Sequence, residues 1–241
     1  MILEIAANSV ASALAAQQAG AGRIELCTAL ELGGLTPSYA QIRLARERLH
    51  IPLYVLIRPR AGDFLYDDFE CATMLRDIEA CTAAGCDGVV LGVLDAEGHV
   101  DATRCRALIA AAGSMGVTFH RAFDLARDPS SSLATLIELG CERVLTSGGR
   151  PSALEGAELI RTLVELSERR IVVMPGAGVH AGNIGRLQEM TGASEFHASA
   201  KRRYPSGMRW QPASLTDMQG GEWRSDAEEV RDMLAALNDA G

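Results

Sequence analysis

A few short segments carry the residue types that do chemistry. Arg58-Pro59-Arg60-Ala61-Gly62-Asp63-Phe64 sets two arginines two positions apart, so their forked guanidinium groups could clamp one carboxylate or phosphate. The competing reading is a loop pinned by an Arg–Asp63 ion pair. Phe119-His120-Arg121-Ala122-Phe123-Asp124 brings together an imidazole that titrates near neutral pH and a carboxylate, which suits acid–base work or metal ligation. Glu195-Phe196-His197-Ala198-Ser199 adds a second histidine. Thr146-Ser147-Gly148-Gly149 and Pro175-Gly176-Ala177-Gly178 are glycine-rich turns whose backbone amides could cradle an anion, or glycines that merely fit tight turns. Cys27 is a thiol that could attack a substrate or bind a soft metal such as Cu(I).

These segments are evenly spaced between helical stretches. Strands are predicted at 3–6, 23–27, 53–58, 88–91, 117–120, 143–146, 171–174 and 195–198, with helices at 9–19, 37–49, 67–84, 101–114, 130–139, 152–168 and 181–190. Asp101, Ser131 and Ser152 are the expected helix N-caps. Alternation of this kind predicts an α/β fold, a (β/α)8 TIM-type barrel with a C-terminal loop and helix extension. An open doubly wound sheet competes, but no Gly-x-Gly-x-x-Gly turn follows the first strand. Residues 1–200 form the expected barrel. Residues 201–241 form the extension packed on it as part of the same domain, with 201–224 a long loop and 225–238 a last helix.

Alternate residues of a barrel strand face the interior. This parity turns Glu4 and Ala6, Glu25 and Cys27, Arg58, Thr118 and His120, and Glu195, His197 and Ser199 inward. Barrel interiors are ordinarily layers of Val, Ile and Leu, and buried charges need partners. Either Glu4, Glu25 and Glu195 pair with Arg58 or Arg121 in an internal salt-bridge network, or this polarity belongs to an active site. Cys27, Arg58, His120 and Ser199 fall at C-terminal strand ends, where barrel active sites form. Lys201, the only lysine among 23 basic residues, is read as a loop cation.

Composition excludes broad classes. The chain has 241 residues, is 48% hydrophobic and 22% charged, and carries a net charge of -8. That argues against disorder, and against nucleic acid or anionic membrane as partner. No apolar run spans a bilayer, no signal peptide opens the chain, and the six cysteines form no C-x-x-C pair. A cytoplasmic protein with reduced thiols is expected.

The segments Arg23-Ile24-Glu25-Leu26-Cys27, Gly33-Gly34-Leu35-Thr36-Pro37-Ser38, 57–64, 118–124, 144–148, 174–178 and 195–199 resemble the CutC family in order and spacing, over about residues 2–210. The resemblance implies a TIM-like barrel, a cytosolic location, copper homeostasis and a homo-oligomer. Relatives often carry Glu-Val-Cys on the first strand, whereas this chain has Glu4-Ile5-Ala6. Copper would then have to use Cys27 with His120, His197 or a subunit neighbour. The residues themselves point elsewhere, to a lyase, isomerase or hydrolase acting on a small phosphorylated or carboxylated metabolite. In that reading Arg58 and Arg60 clamp the anion. Ser147, Gly176, Gly178, His197 and Ser199 line its site, and His120 with Asp124 or Glu25 moves protons. A scaffold with a purely structural polar interior is the third reading.

Overall fold

The computed structural model describes residues 1–210, 212, 214 and 220–239. Eight strands alternate with seven helices along the chain. They are β1 (Ile2–Ala7), α1 (Val10–Ala19), β2 (Arg23–Leu26), α2 (Tyr39–Arg48), β3 (Leu53–Leu56), α3 (Asp68–Ala84), β4 (Gly88–Leu91), α4 (Ala102–Ala112), β5 (Gly116–Phe119), α5 (Pro129–Leu139), β6 (Arg143–Thr146), α6 (Ala157–Ser167), β7 (Val172–Pro175), α7 (Ile184–Thr191) and β8 (Glu195–Ala198). The hairpin strands β9 (Lys201–Tyr204) and β10 (Glu222–Ser225) and helix α8 (Ala227–Asp239) follow. The strand order is 7-6-5-4-3-2-1-8, all parallel, and β7 also lies against β8. This is the expected (β/α)8 barrel, nearly closed.

Local chemistry sets the helix ends. Ser38 with Gln41 and Asp67 with Glu70 form reciprocal capping boxes on α2 and α3. Asp101 caps α4 as expected. Ser131 and Ser152 do not cap helices. Asp128 caps α5 and places Pro129 in the first turn, while Ser152 pairs with Glu155 in a turn ahead of α6.

The stretch 201–224 is not all loop. β9 and β10 pair antiparallel, although Lys201, Arg202 and Arg203 show no apolar alternation. Lys201 stacks on Trp223, and Arg224 on Tyr204. Arg202 and the Tyr204 hydroxyl both hydrogen-bond Asp226. Part of the expected loop, at 211, 213 and 215–219, lies outside the described residues. Helix α8 buries Val230, Met233 and Leu237 and packs on α1 and α7.

The main apolar core lies between the strands and the helices. Inside the barrel Cys27, Tyr54, Leu56 and Val90 form a small apolar cluster, and Ala6, Leu145 and Met174 are buried beside a group of charged side chains that includes Glu4, Arg23, Glu25, Arg143 and Glu195. Tyr54 spreads across the barrel over Gly88 and Gly116, where a Cβ would collide with its ring at Gly88 and with its hydroxyl and the Glu142 carboxylate at Gly116. Those two glycines supply space rather than conformational freedom. Gly116→Ala should therefore cost about 1–3 kcal/mol by urea denaturation, as overpacking does. The cost should shrink in a Tyr54→Leu background. Equal costs in both backgrounds would contradict this packing.

Candidate active site

The C-terminal strand ends open on a cavity of about 680 Å³. Its wall includes Glu25 and Cys27 from the β2 end, Arg58 past β3, His120 past β5, and His197 and Ser199 from the β8 end. Parity thus brings most of the predicted residues to one place.

Deeper in the barrel, Glu4 and Glu195 pair with arginines other than Arg58 and Arg121, and Glu25 pairs with no arginine among the described residues. The Arg23 Nε–H donates to Glu4 Oε2, and Arg23 Nη2 reaches Glu195 Oε2 at 2.6 Å. Arg143 Nε reaches the same Glu195 oxygen at 3.1 Å. Both guanidinium groups lie over the Tyr54 ring, at 5.2 and 5.1 Å. Tyr54 in turn donates to Glu142 at 2.7 Å. Arg23, Tyr54 and Arg143 were not singled out from the sequence. The alternation that turns Glu25 inward turns Arg23 inward too, and that was the available signal.

The free oxygen of Glu4, Oε1, lies 2.7 Å from His197 Nδ1. Glu25 Oε2 lies 3.6 Å from the same nitrogen, too far for a hydrogen bond, and it has no hydrogen-bond partner. Burial pushes the Glu4 carboxyl up, but the hydrogen bond from His197 and the Arg23 charge outweigh it and leave it at about 2. Burial pushes Glu25 up as well. There the pull of His197 is opposed by the neighbouring Glu4 charge, and the carboxyl comes to about 7. His197 is pushed down by burial, but the Glu25 and Glu4 carboxylates more than compensate and raise it. The result is an imidazole whose charged form is favoured, between two carboxyl groups, one firmly ionised and one titrating near neutrality.

His120 is the opposite case. Burial and then the Arg58 charge lower it to about 3, so its ring is neutral. The Ala122 N–H donates to His120 Nδ1 at 3.2 Å, which places the ring proton on Nε2. That Nε2 is buried without a partner. Phe64 packs on the ring with centroids 4.8 Å apart. A Cβ at Gly92 would fall 2.6 Å from the ring, so Gly92 makes room for it.

Arg58 gives its donors to the carbonyls of Leu32, Gly34 and Gly62 and stacks on Phe64. No carboxylate pairs with it among the described residues. Arg60 is not brought to the cavity. It bonds Glu70 and Asp63 and stacks on Tyr66, so the two arginines form no common clamp. Asp124 borders the cavity, but its oxygens are taken by Thr146, Ser147, Gly149 and Arg121. It fastens the loops after β5 and β6 and makes no hydrogen bond to His120. Ser147 is buried within that fastening, bonded to Asp124 and Arg150. Gly176 is buried where a Cβ would crowd Leu145 and His197. Gly178 and Ser199 do line the cavity, and Lys201 joins them at its edge rather than lying outside it.

Copper can be tested against these donors. Cu(I) prefers thiolates and thioethers. Burial, and then the charges of Glu25 and Glu31, push the Cys27 thiol well up, so it stays protonated. The first strand offers Ala6 and no second thiol. Cys27, His120 and His197 share the cavity, but their donor atoms do not gather. Among the described residues the set within 4.8 Å of one another is Glu4, Glu25 and His197. That set is oxygen and nitrogen only, with the Arg23 cation beside it. These residues do not fit Cu(I).

Fold and site together define a TIM-type barrel with a titratable pocket at the mouth expected of the enzymes of this architecture. The CutC family profile matches residues 1–202, and the chain belongs to the CutC family. A CutC protein of Xylella fastidiosa (strain Temecula1) is 57% identical over 98% of this chain and 88% of its own length. A mouse protein named copper homeostasis protein cutC homolog is 47% identical over 89% of this chain and 79% of its own length. The crystal structure of a CutC from Streptococcus agalactiae superposes with a TM-score of 0.80 at 34% identity, covering 83% of this chain and 98% of that one. No helix among the described residues is long and apolar enough to cross a membrane.

The Glu25 environment has a sign that stability measurements can read. A carboxyl raised from 4.5 to about 7 binds its proton more tightly when folded. Its contribution is therefore fully present below pH 4.5 and is lost as pH rises through 7, by about 3 kcal/mol. Relative to Glu25→Gln, the wild type should lose roughly that much stability between pH 4.5 and pH 8 in urea denaturation. A pH-independent difference would contradict this environment.

Proposed function

We propose that the chain is an enzyme that moves protons on a small carboxylated or phosphorylated metabolite held at the barrel mouth, in the manner of a lyase, isomerase or hydrolase. The observation that carries the reading is Glu25. It is a buried carboxyl that lines the cavity, has an oxygen without a hydrogen-bond partner and titrates near neutrality. Ionisable groups tuned in this way concentrate at catalytic sites, because a proton acceptor works best near ambient pH. The anion would meet positive charge that no carboxylate among the described residues neutralises. Arg58 stands at the wall, and Lys201 stands at the edge with Gly178 and Ser199. All six cysteines are free thiols, in keeping with a cytosolic enzyme. Copper binding, which the mouse relative's name evokes, would need a second chain or another ligand to complete a soft donor set around Cys27.

Thermal and urea unfolding in pyruvate, lactate, dihydroxyacetone phosphate and glycerol 3-phosphate tests the anion site. A bound anion at 100 times its Kd should add about 2.7 kcal/mol of stability. Lys201→Gln should weaken that affinity about five- to tenfold. The reading fails if none of the four stabilises the wild type, or if all stabilise wild type and Lys201→Gln equally.

A further inference from the structure

The two walls of the cavity differ in kind. β2 and β5 are three strands apart around an eight-strand barrel, so Glu25 and His120 stand nearly opposite each other. Glu25 brings an acceptor without a partner, and His120 brings a donor without a partner. The tautomer of His120 follows from its backbone contact. With Nδ1 accepting from Ala122, the unpartnered Nε2 carries the hydrogen. Phe64 on one side and the space left by Gly92 on the other hold the ring in place. Close by, Arg58 is a buried cation with only carbonyls for partners and an Nε that has none.

A neutral N–H donor beside an uncompensated cation suits an uncharged oxygen on which negative charge develops. It does not suit a leaving group that needs a proton from a strong acid. Facing a carboxylate, this arrangement complements enolisation. From this we infer that the substrate is a small carbonyl compound, whose oxygen His120 Nε2–H binds and whose adjacent carbon gives its proton to Glu25. The inference rests on the acid–base reading above and adds the chemical class of the substrate. In the step, the C–H bond next to the carbonyl breaks and its proton passes to the Glu25 carboxylate. The C–H electron pair becomes a C=C bond, and the carbonyl π pair moves onto the oxygen held by His120 and faced by Arg58. Once the Glu25 proton has exchanged with solvent, its return to the same carbon gives hydrogen exchange. Where that carbon carries a hydroxyl, transfer of the hydroxyl proton to the former carbonyl oxygen, together with return of the Glu25 proton to the former carbonyl carbon, gives isomerisation. No oxidant, reductant or further co-reactant enters. Lys201 and Ser199, at the cavity edge, are placed to take the anionic end of such a molecule.

The test follows hydrogen exchange by NMR in D2O with the full chain. Pyruvate and dihydroxyacetone phosphate are the carbonyl probes, and lactate and glycerol 3-phosphate are their alcohol counterparts. At least one carbonyl probe should exchange the hydrogen next to its carbonyl at least tenfold faster than without protein, and neither alcohol should exchange. Glu25→Gln should slow the exchange at least 100-fold, and His120→Phe at least tenfold. His120→Gln, which keeps an N–H donor, should recover part of that loss. Should the His120 variants not fold, the His120 ring in a ¹⁵N NMR spectrum of the wild type must still show the neutral Nε2–H form at pH 5–8. A charged ring or the Nδ1–H form overturns the inference. So does exchange that survives Glu25→Gln. If the probes stabilise the protein but neither carbonyl exchanges, the inference falls and the anion-binding acid–base pocket stands. If no probe binds or exchanges, both fall.

Discussion

The ion pair between Arg23 and Glu4 on neighbouring strands is the interaction on which the rest of the interior depends. A charge taken out of water inside a protein costs several kcal/mol unless it is paired and hydrogen-bonded. Here Arg23 spans Glu4 and Glu195, Arg143 shares Glu195, and Tyr54 lies flat beneath both guanidinium groups. Because Arg23 occupies one oxygen of Glu4, the other is left to hold His197. His197 is thereby fixed 3.6 Å from Glu25, near enough to influence its charge and too far to satisfy it. The unpartnered acceptor of Glu25 is thus a consequence of ion pairing below it.

The opposite wall follows a different rule. Arg58 is tied to three carbonyls of its surrounding loops, which fixes the guanidinium without neutralising it. Burial, and then that residual charge, keep His120 neutral. Two histidines at the same mouth therefore end in different protonation states. The carboxylates beside His197 favour its charged form, and the cation beside His120 disfavours it. Tuning of this kind sorts groups into donors and acceptors without any change of residue type.

Much of this was legible in the sequence, because a barrel strand alternates strictly. That alternation places Glu4, Glu25, His120 and His197 inside, and the strand spacing implies the barrel. Ion-pair partners were not legible. Arg60 and Arg58 are two residues apart, yet Arg60 turns to Glu70 and Asp63 across a loop whose path the sequence does not declare. Asp124 looked like a partner for His120, but it closes on backbone amides in the loop after the next strand. The β9–β10 hairpin was hidden because its strands pair through cation–aromatic contacts rather than an apolar face. Lys201 reaches the cavity edge through that hairpin, so its position was hidden with it.

The central claim is that Glu25 is a carboxyl held near neutrality at the mouth of the barrel. The most direct measurement is a ¹³C NMR titration of the glutamate side-chain carboxyl carbons, with Glu25→Gln identifying the resonance. The account predicts a Glu25 midpoint at about 7, displaced from the ordinary 4.5. A Glu25 midpoint at the ordinary carboxylate value would contradict it.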